Sequence, residues 1–254
     1  MEDVSKQVLG MLIPLIVIAA AFIGMLFFVA HRLIYPAPPA SGPWGALVVQ
    51  RPDLTLRGWI VHPDAEDAWV IFGGNALPLA PVGEAWRGCT GRALYLMPYR
   101  GYEGQAGSPN EKDLVADGLA LVRQAQKTHR HVGIIGISLG TGVATEVAVQ
   151  ARPDKLLLIT PYDRLDLVAH DHFPYLPVRW LMRDTYDSAS AARQLGDVPV
   201  ALLQADQDEI ISQARTQALA AALPTPPIAW QHVPTTHNGV WDRPELCEFV
   251  RRGG

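Results

Sequence analysis

The sequence predicts an α/β fold, with a mostly parallel central sheet flanked by helices and one transmembrane helix in front of it. Three observations carry this. From residue 46 to about 233, apolar runs of strand length alternate with helical stretches. That alternation produces right-handed crossovers and parallel pairing. In the run 131–137, Val132, Ile134, Ile135 and Ile137 lie close together, the density expected of a strand buried on both faces. Residues 8–30 carry no charge over a length that crosses a hydrocarbon core of about 30 Å as a helix.

The 254 residues, 49% hydrophobic and 18% charged, suit one sizeable domain with an appendage. A net charge of −4 gives no phosphate-binding surface, so no nucleic-acid partner is expected. Cys89 and Cys247 are far apart and without metal-ligand spacing, and they suggest no disulfide framework.

Residues 1–7 form a flank of mixed charge, Met1-Glu2-Asp3-Val4-Ser5-Lys6, and residues 8–34 form the anchor. A cleaved signal would be shorter, start basic and end in a small-x-small site. Here the stretch is long and exits into His31-Arg32, so a retained single-pass anchor is expected. Gly10, Pro14 and Gly24 are tolerable in such a helix, because lipid penalises unpaired backbone more than a kink. Lys6 on one side and Arg32 on the other leave the orientation unassigned. Residues 35–45, rich in proline, read as a semi-rigid spacer holding the domain off the bilayer.

The domain, 46–254, opens with an antiparallel pair at 46–50 and 56–62, turning at Arg51-Pro52-Asp53. Strands follow at 68–72, ending in Gly73-Gly74-Asn75-Ala76, and at 93–97. Ser108 and Glu111 form a capping box with Pro109 at the first helical position. The helix they open runs to about 128 and buries Leu114, Val115, Leu119 and Val122. After the 131–137 strand come a helix to about 150, strands at 156–159 and 198–204, a helix at 212–222 and a last strand at 228–233. A long insertion occupies about 161–196.

Gly136-Ile137-Ser138-Leu139-Gly140 spans the turn out of the central strand and fits the nucleophile-elbow pattern G-x-S-x-G. Reactive groups in parallel sheets gather beyond the carboxyl ends of the strands. That rule selects Ser138, then Asp206 and Asp208, then His237, in the order serine, acid, histidine. A serine hydroxyl needs an imidazole to take its proton, and the imidazole needs a carboxylate to fix its tautomer. His237 is the expected base, with His232 its substitute. Asp208 is favoured as the acid over Asp206, with Asp163 third. An oxyanion hole would use the N–H groups of Leu139 and Asn75. His170-Asp171-His172 lacks a third ligand at matching spacing, so no metal is expected.

Phe72-Gly73-Gly74-Asn75-Ala76, Tyr99-Arg100-Gly101-Tyr102, Gly107-Ser108-Pro109, the elbow, Asp206-Gln207-Asp208 and His237-Asn238 fall in one order. As a set, they resemble an α/β-hydrolase-fold serine hydrolase of the membrane-anchored abhydrolase-domain type, related to serine aminopeptidase and prolyl-oligopeptidase type domains. The resemblance spans about 46–250. It implies Ser138 as nucleophile, Asp208 as acid, His237 as base and Asn75 and Leu139 as oxyanion donors, with no cofactor. Gly73 departs from the histidine usual there, and Ala205 from the usual glycine. The insertion usually forms a lid, so Tyr162, Phe173, Tyr175 and Trp180 would line a substrate pocket. A plain connecting helix with a buried aromatic face is the equal alternative.

The expected function is a membrane-anchored hydrolase cleaving an ester, thioester or related acyl bond of a small or lipid-like substrate. A serine peptidase of the same fold and a non-catalytic tethered binding module are the alternatives.

Overall fold

The computed structural model describes residues 2–254, with side-chain surroundings from residue 14 onward. The charge reading of Met1 to Lys6 therefore lies outside the described residues. Helix α1 (Glu2–Ile34) contains a stretch, Pro14–Ile34, of mean hydropathy 2.3 that is long and apolar enough to cross a membrane, with none of it buried. Behind it the chain does not stand clear of the domain. Tyr35 is buried, and the amides of Ala76 and Glu103 donate to the carbonyls of Pro36 (3.0 Å) and Pro38 (3.1 Å). The stretch meant as a spacer is a strap lying on the domain.

Eight strands follow: β1 (Leu47–Gln50), β2 (Thr55–Val61), β3 (Asp67–Phe72), β4 (Ala93–Leu96), β5 (His131–Ile137), β6 (Leu156–Ile159), β7 (Val200–Ala205) and β8 (Ala229–Val233). They form one sheet in the order β1-β2-β4-β3-β5-β6-β7-β8, antiparallel at β1/β2 and β2/β4 and parallel from there on. This is the α/β-hydrolase fold. Side chains alternate along each strand. On β3, Val70 and Phe72 join the apolar cluster on one face, while Trp69 and Ile71 join that on the other. Ile134 and Ile135 of β5 divide the same way, which is why that run is apolar throughout.

On one face lie α3 (Glu111–Ala125), α4 (Leu139–Ala151) and α8 (Gln213–Ala222). On the other lie α2 (Leu79–Trp86) and α9 (Pro244–Arg252), neither of which the apolar pattern announced. Helix α2 is only 8 residues long and carries Pro81 and Gly83, which mask its periodicity. The cysteine reading also needs correction. Cys89 and Cys247 form a disulfide across 158 residues, because the chain just after α2 meets α9 on that face.

The capping expectation is likewise corrected. The side chain of Asn110, not Ser108, accepts from the Asp113 amide (3.0 Å) at the start of α3. The carboxylate of Glu111 instead accepts from the amides of Thr185 and Tyr186 in the insertion. That insertion holds three short helices, α5 (Leu165–His172), α6 (Val178–Leu181) and α7 (Ser188–Ala192). Helix α6 packs against α1.

Candidate active site

The turn from β5 into α4 puts Ser138 at φ 50° and ψ −118°, a strained left-handed conformation for a residue with a side chain. The surroundings fix it there. Its amide donates to Ile159 O (2.9 Å), and its carbonyl accepts from the amide (2.8 Å) and hydroxyl (2.7 Å) of Thr141. Only glycine fits on either side: a Cβ on Gly136 would stand 2.7 Å from Gly140 O, and one on Gly140 2.1 Å from Phe72 O.

The loops after β7 and β8 are joined to each other, the amides of Asp206 and Gln207 donating to the carbonyls of Val233 and Thr235 (both 2.9 Å). This lays Asp208 beside His237. His237 Nδ1 is 2.7 Å from Asp208 Oδ2, and its Nε2 is 3.0 Å from Ser138 Oγ. The other Asp208 oxygen accepts from the amides of Ile210 (2.9 Å) and Ile211 (2.7 Å). A carboxylate so placed accepts the Nδ1 proton, leaving Nε2 with a lone pair aimed at the serine hydroxyl. The side chains of His237 and Asp208 are 7% and 3% exposed, so water does not compete for these bonds.

The other candidates lie elsewhere. Asp206 pairs with His232 (2.8 Å) and Asp163 with Arg215 (3.3 Å). Among the described residues, no group of three or more potential ligands is arranged to hold a metal.

A pocket of about 170 Å³ opens over Ser138 and His237, lined on one side by Gly74, Asn75 and Leu77 and on the other by Thr160, Val240 and Trp241. Asn75 thus lines the same pocket as Ser138, and Leu139, the first residue of α4, directly follows that serine. A buried hydrogen bond from Tyr99 to Gly73 O (2.8 Å) braces the glycine loop, which accounts for Tyr99 in the motif after β4. Next to it, Arg100 grips both oxygens of Asp117 (2.8 and 2.9 Å).

The four aromatic residues expected as a substrate pocket do not line it. Tyr162 is buried beneath the elbow, its hydroxyl donating to Leu139 O (3.1 Å). Phe173, Tyr175 and Trp180 are 48%, 97% and 84% exposed: α6 packs on α1, and the end of α5 is tied to the loop after β7 by His172 Nε2 and Ile210 O (2.8 Å). Thr160 and Trp241, which sequence reasoning missed, hold the places assigned to them. Thr160 sits at the carboxyl end of β6, where the strand-end rule could have found it. Glu209 was also missed. Its side chain accepts from the His237 amide (3.0 Å) and holds that loop in place.

No protein-family model matches the sequence. The uncharacterized protein Rv2307c of Mycobacterium tuberculosis is 32% identical over 232 residues, covering 83% of this chain and 82% of that protein. The uncharacterized membrane protein YNL320W of Saccharomyces cerevisiae is 23% identical over 271 residues, 94% of each chain. Among solved structures, the Pyrococcus furiosus esterase Pf2001 superposes with a TM-score of 0.66 at 14% identity, covering 84% of this chain and 94% of that one.

Proposed function

Since the chain belongs to one family with mycobacterial Rv2307c and has the α/β-hydrolase fold, we propose that it is a membrane-anchored serine hydrolase of acyl bonds. The observation that carries this is the single imidazole touching both Ser138 and Asp208. Ser138 Oγ attacks the acyl carbonyl while His237 Nε2 takes its proton, and Asp208 stabilises the imidazolium. The amides of Leu139 and Asn75 receive the developing oxyanion. His237 then protonates the leaving group, and a water activated by the same nitrogen releases the acyl group from the serine.

A pocket of about 170 Å³ is small beside ligand sites of about 300–1,000 Å³. It suits a short acyl group, or the scissile end of a longer one extending outward. The apolar helix α1 supports attachment to a membrane, as does the yeast relative's being called a membrane protein. The Cys89–Cys247 bridge supports a domain on the oxidising side of that membrane.

A series of p-nitrophenyl esters from acetyl to dodecanoyl tests the reading. Wild type should turn over the shorter esters, and Ser138→Ala should lose activity by a factor on the order of a million. Equal hydrolysis by both proteins would overturn it.

A further inference from the structure

A second cavity lies away from Ser138, where α1 leaves its apolar stretch. It encloses about 770 Å³ between the end of α1, the start of α3 and the segment after α6. Phe27, Phe28 and Leu181 form an apolar wall, with His31, Arg32 and Arg183 beside it. The Arg32 guanidinium lies over the Phe28 ring at 5.3 Å and that of Arg183 over Phe27 at 5.1 Å.

A ring under a guanidinium occupies its face and leaves the N–H donors in its plane free for a bidentate acceptor. Among the described residues, no carboxylate pairs with Arg32 or Arg183, and the one acid lining the cavity is already engaged. Asp184 accepts from the Tyr35 hydroxyl (2.9 Å) and the Glu111 amide (3.1 Å). His31 bonds Pro109 O (2.8 Å). Two arginines therefore line one cavity, and no carboxylate among the described residues pairs with either.

The neighbouring insertion indicates the source of an anion. Trp180 lies on α6, which packs against α1, and Phe173, Tyr175 and Leu176 precede that helix; all four are exposed, as are the apolar side chains of α1. Tryptophan and tyrosine beside the end of an apolar helix mark the depth of lipid headgroups.

We propose that this cavity seats the headgroup of an anionic phospholipid. Its phosphate lies between Arg32 and Arg183, and its acyl chains run along Phe27, Phe28 and the exposed aromatic residues of the insertion. A zwitterionic lipid brings a quaternary ammonium for which the cavity offers no free carboxylate, so the anionic lipid is preferred. This inference rests on the reading of α1 as a membrane anchor.

The test uses the full chain and vesicles of phosphatidylcholine with or without phosphatidylglycerol, followed by native mass spectrometry of the protein released in detergent. The chain should float with both vesicles yet retain phosphatidylglycerol over phosphatidylcholine by about tenfold or more. The double variant Arg32→Ala/Arg183→Ala should float equally and label with fluorophosphonate at the wild-type rate, but lose that preference. The Arg32→Lys/Arg183→Lys variant should keep part of it. Flotation with equal retention of both lipids would overturn the headgroup site and leave the anchor standing, as would an alanine variant as selective as wild type. Displacement of the bound lipid by millimolar inorganic phosphate would overturn the lipid assignment in favour of a free-phosphate site. A chain that does not float would overturn the anchor reading and this one together.

Discussion

Breaking the Cys89–Cys247 bridge should lower stability by an amount the structure bounds. The bridge closes a loop of 158 residues. For that length the chain-entropy expression removes about 17 cal/mol/K from the unfolded ensemble, which is about 5 kcal/mol at 25 °C and an upper estimate. The folded state loses little in exchange, since Val82, Trp86, Leu246 and Phe249 still pack around the site. For a domain of about 200 residues, each kcal/mol moves Tm by about 2–4 °C, so the loss should be on the order of 10 °C. The Cys89→Ser/Cys247→Ser double variant avoids a stray thiol, and dithiothreitol-treated wild type should match it. Thermal unfolding followed by near-ultraviolet circular dichroism reads the shift. Oxidised and reduced proteins melting within a degree or two of each other would refute the reasoning, as would two alkylatable thiols in the unreduced protein.

Three further substitutions probe the site and its support. Asp208→Asn should lower kcat by about 10⁴-fold, through loss of the correct imidazole tautomer, whereas Asp206→Asn should leave ester turnover within about twofold. The Glu146 carboxyl, on α4 against Glu111, is pushed up to about 8 by burial and by that neighbour's charge. Unfolded chains bind fewer protons than folded ones between roughly pH 4.5 and 8, so this group's contribution to stability is lost as pH rises through that window. Glu146→Gln should therefore gain on wild type from pH 5 to pH 8 in urea unfolding, by no more than about 1.4 kcal/mol per pH unit. A constant difference between the two proteins would contradict the assignment.

What could be read from the sequence follows from how local each signal is. Strand β6 is where its apolar run placed it, and β5 is framed by residues whose reason is steric and short-range, Gly136 and Gly140. That Ser138, Asp208 and His237 come together is legible because the carboxyl ends of parallel strands converge whatever the loops do. The disulfide was not, because Cys89 and Cys247 meet only once two helices have packed on one sheet face. The insertion failed for a similar reason. Aromatic residues there signal burial of some kind, yet only the course of the chain decides between a pocket, as expected for Trp180, and an outer rim beside α1. Asn110 replaced Ser108 as the cap because Glu111 was drawn away to the amides of Thr185 and Tyr186, a partnership some 74 residues distant.

The most direct test of the account is the site of covalent capture by a fluorophosphonate, read by peptide mass mapping. It predicts one adduct, on Ser138, formed rapidly by wild type, slowed by orders of magnitude in His237→Ala, and absent from Ser138→Ala. An adduct on another residue, or capture undiminished without His237, would contradict it.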